Sequence, residues 1–107
     1  PPLVIRSLEE LRAAARNNPY LKRGADQKFL HVGFLLDAPD KAGIAALDPD
    51  RSPPDEFTVR GREVYFLCPQ GLGKSKLTSQ YFDSRLKTVI TVRNWNTVQA
   101  LLEMAKG

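Results

Sequence analysis

The chain has 107 residues, 42% of them apolar and 26% charged, which is one domain's worth of sequence with enough apolar side chains to build a core, so intrinsic disorder is excluded. One cysteine and one histidine exclude an internal disulfide and leave no soft-metal ligand set, and the longest apolar stretch, Phe29 to Leu36, falls far short of the ~20 residues that cross a bilayer. Net charge is +4, unevenly placed: residues 1–56 carry eight basic and nine acidic side chains, residues 57–107 eight basic and three acidic.

In chain order, Leu3-Val4-Ile5 reads as a short buried strand. Ser7 and Glu10 then form a capping box, each side chain meeting a backbone N–H of the first helical turn. Leu8, Leu11, Ala14 and Ala15 follow at helical spacing, and Pro19 disfavours helix at Asn18, which ends the element. Lys28 to Leu36 is expected to be a strand, apolar on both faces and therefore central in its sheet. Asp37-Ala38-Pro39-Asp40 opens a second, shorter helix through Leu47, with Pro39 near its first position. Asp48 to Asp55 is acidic and proline-rich, the composition of a solvated loop.

Phe57 to Leu67 alternates around Gly61, the pattern of a tight β-hairpin. Pro69-Gln70-Gly71-Leu72-Gly73 breaks the second strand. Ser75 to Leu86 is expected to be a helix with Leu77, Tyr81, Phe82 and Leu86 inward. Val89 to Val92 is the last strand. A final helix places Val98, Leu101, Leu102 and Ala105 on one stripe, with Asn96 as its N-cap. The order is β-α-β-α-β-β-α-β-α. It predicts one α+β domain over residues 1–107, a two-layer sandwich with a mixed or antiparallel sheet and helices packed on it, related to the ferredoxin-like arrangement.

Two segments carry candidate chemistry. In the first, Gly71, Gly73, Lys74, Ser75 and Lys76 lie between a strand and a helix. Glycines there can turn several N–H groups toward one anion, and lysines and a hydroxyl add donors. It is not a nucleotide-triphosphate loop, because Cys68 stands where the first glycine of that motif belongs. Its plain reading is a capped strand-to-helix turn with solvated lysines. In the second, Arg93-Asn94-Trp95-Asn96-Thr97 combines a planar fork for phosphate or carboxylate with an aromatic face. Its plain reading puts Trp95 in the core and the polar residues on the helix cap. Other constellations are weaker. His31 and Cys68 have no third group to orient them, and the 48–56 carboxylates lack the glycine and distal glutamate of a calcium loop.

The pairing of Gly71-x-Gly73-x-Ser75-Lys76-Leu77 with Thr91-x-Arg93-Asn94-Trp95-Asn96-Thr97-Val98 resembles the C-terminal half of the bacterial domain-of-unknown-function family 1697. The Val59 to Tyr65 hairpin and the His31 to Leu35 strand fall where that family has similar segments. The resemblance implies an additional N-terminal half carrying an Arg-Gly-Ile-Asn-type motif, absent here, so the chain is expected to be the C-terminal part of a longer protein. Its opening Pro1-Pro2, with no initiator Met and no leader, gives the same expectation. No established activity comes with the resemblance.

The basic half attracts phosphate, nucleic acid or an acidic surface. The first functional expectation is a non-catalytic cytoplasmic module binding a nucleotide phosphate or single-stranded nucleic acid through Gly71, Gly73, Lys74, Ser75, Lys76 and Arg93, with Asn94 and Trp95 nearby. The second is a surface that docks a protein, including the missing N-terminal half. The third is part of an enzyme for a phosphorylated small molecule, its acid or base supplied by that half. No catalytic residue, metal, cofactor or membrane contact is expected from the residues themselves.

Overall fold

The computed structural model describes residues 8–24, 26–71, 73 and 75–105; the expected strand at Leu3–Ile5 and the Ser7 side of the capping box lie outside them. Helix α1 covers Leu8–Arg16. Pro19 then acts twice, holding Asn18 in an extended conformation and opening a short helix α2, Pro19–Lys22. Asn18 caps α2 through its Oδ1, which accepts from Tyr20 N at 2.9 Å. A 3₁₀ turn over Gln27–Phe29, capped by Asp26, takes the head of the expected strand, so strand β1 is Leu30–Leu35. Helix α3 is Lys41–Ala45, shorter than its apolar pattern, because Asp40 rather than Pro39 sets the start, its Oδ1 accepting from Gly43 N.

The hairpin forms as the alternation requires. Strands β2 (Glu56–Arg60) and β3 (Glu63–Leu67) pair from Arg60 opposite Glu63, leaving a two-residue loop in which Gly61 takes φ +60°. Helix α4 is Ser79–Leu86. Its cap is Thr78, whose Oγ1 accepts from Tyr81 N, so the helix begins four residues later than Ser75. Strand β4, Ile90–Asn94, passes directly into helix α5, Trp95–Ala105.

The sheet order is β2-β3-β1-β4, antiparallel throughout. Strand β1 is interior, as its two apolar faces foretold. The run β1-α3-β2-β3-α4-β4 is two interleaved split β-α-β units, the ferredoxin-like arrangement. The α+β class is as expected, but the layer count is three, not two. Leu35, Val64, Phe66 and Ile90 pack with Tyr81, Phe82 and Leu86 on one face. Leu30, Val32, Phe34 and Tyr65 pack with Ala14, Tyr20, Trp95 and Val98 on the other. Helix α4 thus covers one face, with Leu47 beyond α3 packed beside it, and α1, α2 and α5 cover the second.

Directional contacts fix both layers. Phe82 takes Phe57, Phe66 and Tyr81 edge-on at 5.4, 5.3 and 5.3 Å, pairs that add about 0.5–1.5 kcal/mol each beyond burial. Tyr65 donates its hydroxyl to Ala14 O at 2.8 Å, tying α1 to the sheet for roughly 1 kcal/mol. Leu101, expected inward, is 44% exposed. With Trp95 as first residue, the buried stripe of α5 runs through Trp95, Val98 and Leu102 instead.

Gly33 sits in β1 against Ile90. A Cβ built there lies 2.8 Å from Ile90 Cγ1, closer still to Cδ1, and 3.2 Å from Phe66 Cε2. Gly33→Ala is therefore expected to destabilise by about 1–3 kcal/mol through overpacking. Gly73, with nothing within 4 Å of its would-be Cβ, tolerates alanine within about 0.5 kcal/mol. Urea unfolding of both variants checks the contrast.

Candidate functional site

The register decides where the two candidate segments leave the sheet. Leu67, at the end of β3, lies opposite Leu30, and Asn94, at the end of β4, lies opposite His31. Both strands finish at the same end of the sheet, flanking the start of β1, so the segments issue about 10 Å apart. Their faces differ. Arg93 pairs with Val32, a residue of the α1/α5 core, whereas the glycine loop runs on to α4, on the opposite face. No hydrogen bond among the described residues joins the two segments.

The loop is held from within. Gly71, at φ +89°, donates its N–H to Cys68 O at 2.9 Å. Lys76 N donates to Ser52 Oγ at 3.0 Å, and Leu77 N to Ser75 Oγ at 3.0 Å. Lys76 O accepts from Arg51 Nε at 2.9 Å and from Thr78 N at 3.0 Å. The backbone donors of Gly71, Lys76 and Leu77 are thus committed internally, while the Lys76 side chain and Gly73 are exposed. Lys74 lies outside the described residues. The agent of this stapling is Ser52, which also donates to Asp55 Oδ2 at 2.9 Å. Ser52 and Asp55 are buried at 9% and 8% exposure, so the acidic loop, expected to be solvated, contributes an inward-facing clamp.

In the second segment the Arg93 guanidinium is exposed and donates to Val92 O at 3.1 Å. Asn94, not Asn96, is the cap: its Oδ1 accepts from Thr97 N at 2.7 Å. Trp95 is 1% exposed, packed with Val98 and Leu30, and its aromatic face is not open at the sheet end. Its indole Nε1 has no acceptor. Other basic side chains nearby are already paired, Arg23 with Glu56 at 3.0 Å and Lys28 with Asp26 at 3.7 Å. Sequence reasoning missed the Ser52–Asp55 clamp, and it also missed a cleft on the far side of Trp95, between α1 and α5, and singled out neither Arg12 nor Arg16 on its wall.

The Cys68 thiol is fully buried. Burial pushes it up to about 11 and the Asp55 carboxylate pushes the same way, against a hydrogen bond with Ser75. It is a neutral thiol at pH 7, a poor nucleophile. Burial lowers His31, opposed by a hydrogen bond to the Phe29 backbone, leaving a neutral imidazole. Among the described residues no group of three or more His, Cys, Asp or Glu could hold a metal ion, and no helix is long and apolar enough to cross a membrane.

Tyr65 is likewise raised by burial, to about 12. Both groups have folded values above their unfolded ones, near 9 for the thiol and 10 for the phenol. Their stabilising contributions are complete below pH 9 and are lost as pH climbs toward 11 and 12. The urea midpoint is expected to fall steeply above pH 9, and less steeply in Cys68→Ala. Reaction of Cys68 with a disulfide reagent at pH 8 should be at least about tenfold slower folded than in denaturant.

Neither the curated proteins nor the solved structures gave a match. A family model described as a protein of unknown function (DUF1697) matches residues 1–65, which takes in α1, β1 and the first residues of β3 and ends before the glycine loop. With more than half its length matched, the chain belongs to the DUF1697 family.

Proposed function

We propose that this domain is a non-catalytic anion-binding module, the C-terminal half of a longer cytoplasmic protein of bacteria. The ligand is a nucleotide phosphate or single-stranded nucleic acid, held at the sheet end where β3 and β4 finish. The shared strand end supports this reading: Leu67 and Asn94 oppose adjacent residues of β1, so the segments carrying Lys76 and Arg93 leave the sheet at the same end. Lys74 is the third cation of the set, with Gly71, Gly73, Ser75 and Asn94 shaping the surface between them.

The N–H groups of Gly71, Lys76 and Leu77 are committed to Cys68, Ser52 and Ser75, so recognition falls mainly to flexible ammonium and guanidinium groups. Such contacts read phosphate charge rather than base identity, and their strength falls with salt as counterions are no longer released into a dilute solution. Trp95, inside the core, takes no part in stacking. The lone cysteine suits a reducing compartment. A protein-docking reading, with the N-terminal half as partner, is favoured by Leu101 and Met104, 44% and 78% exposed on α5.

A labelled oligonucleotide of about ten nucleotides and ADP, titrated at low and high salt, test the proposal. Amide resonances of residues 71–78 and 92–96 should move, with affinity falling linearly in log salt. Lys76→Glu combined with Arg93→Glu should weaken binding by about tenfold or more. Unmoved amides, or an unchanged affinity in the double variant, would overturn it.

A further inference from the structure

On the face of the sheet away from α4, helices α1, α2 and α5 leave a cleft of about 600 Å³. Ala15, Leu21, Trp95 and Leu102 line it with apolar surface, and Arg12 and Arg16 stand along its α1 wall. The two arginines are one helical turn apart on the same face of α1. Both are exposed, and no ion pair or hydrogen bond engages either guanidinium among the described residues. Their neighbours show the contrast, because Arg62 is bound to Glu10 at 3.0 Å.

A second observation comes from the other side of the cleft. Trp95 is 99% buried, and its Nε1 has no acceptor among the described residues. The other unmet buried polar atom on this side is Asn18 Nδ2, in the turn between α1 and α2, and it is also a donor. A buried donor without a partner is costly, by roughly 1–3 kcal/mol. Among the described residues, the unmet buried side-chain groups on this side of the sheet are therefore N–H donors, and Arg12 and Arg16 bring positive charge to the cleft wall. Gln99 and Glu103 line the α5 wall, opposite the two arginines.

We propose that this cleft binds a small amphiphilic anion, a carboxylate or phosphate monoester carrying an apolar body. The apolar body lies on Ala15, Leu21 and Leu102, over the buried Trp95, and the anionic head is taken by Arg12 and Arg16. The volume is in the range of small-molecule sites, which combine an apolar lining with a few placed polar groups. Paired guanidinium groups favour a carboxylate or phosphate head over other acceptors, because their planar forks match its oxygens. Neither Lys76 nor Arg93 lines the cleft, so the site is independent of the sheet-end proposal.

Sodium decanoate, kept below the concentration at which it self-assembles, is the test ligand. Decyltrimethylammonium supplies the same body with the opposite charge, and sodium sulfate supplies an anion without a body. The chain has one tryptophan, so its single indole N–H resonance and its fluorescence report directly on the cleft floor. Decanoate should shift that resonance saturably, while sulfate and the cationic detergent leave it in place at equal concentration. Arg12→Gln with Arg16→Gln, both at exposed positions, should keep the circular dichroism and melting temperature of the parent and lose about tenfold in decanoate affinity. Leu102→Arg, which fills the cleft from α5, should abolish the shift. Equal response to the cationic detergent, an unmoved indole resonance, or unchanged affinity in the double arginine variant would each overturn the proposal. Salt-dependent oligonucleotide binding should persist in the double arginine variant, which separates this test from that of the sheet-end reading.

Discussion

The fold depends on burying β1 on both sides. A strand with buried apolar residues on both faces cannot sit at a sheet edge or face water without exposing half of them. Leu30, Val32 and Phe34 demand one cover and Leu35 another, with Gly33 leaving the room that Ile90 fills. Neither cover alone satisfies the strand. The chain therefore supplies helices to both faces, and the two cores meet only through the sheet. Strands β3 and β4 flank β1 as a consequence, and with them the glycine loop and Arg93 come to one end of the molecule.

That arrangement separates two kinds of basic surface. At the sheet end, the backbone donors of Gly71, Lys76 and Leu77 are already engaged, so what the cations there offer is mainly charge. In the α1–α5 cleft, cations border a concave apolar floor, and charge comes with shape. The first suits a polyanion that presents many equivalent phosphates. The second suits a single molecule with a defined head and tail. Loop chemistry contributes to the difference: Ser52 and Ser75 take up the Lys76 and Leu77 N–H donors at the exit of the glycine loop.

Much of the architecture was legible before any coordinates. The hairpin at Gly61, the interior place of β1, and the inward set Leu77, Tyr81, Phe82 and Leu86 follow from alternation, helical spacing and turn chemistry. What escaped was whatever needs a second segment to decide it. Ser75 and Thr78 are both competent caps, and the choice of Thr78 reflects the capture of Ser75 and Lys76 by the 48–55 loop. Asn94 and Asn96 are equally suited by type, and a strand running without a break into α5 selects Asn94. Which face a helix covers is not encoded in its own periodicity, so the third layer could not be counted from the chain. Trp95 was ambiguous for the same reason, since an aromatic after a strand serves a core or a surface equally well. Arg12 and Arg16 gave no signal of their own, because a helical pair of arginines has meaning only once α5 stands across from it.

Gly33 and Ile90 also bear on how this sheet can change over time. They belong to neighbouring strands, and the branched side chain of one occupies the volume that the other lacks. A methyl group gained at position 33 becomes tolerable when position 90 shrinks to valine or alanine, and a smaller residue at 90 leaves a void unless 33 grows. The two sites are coupled in volume, so a substitution at one is expected to cost less when the other compensates it than when it occurs alone.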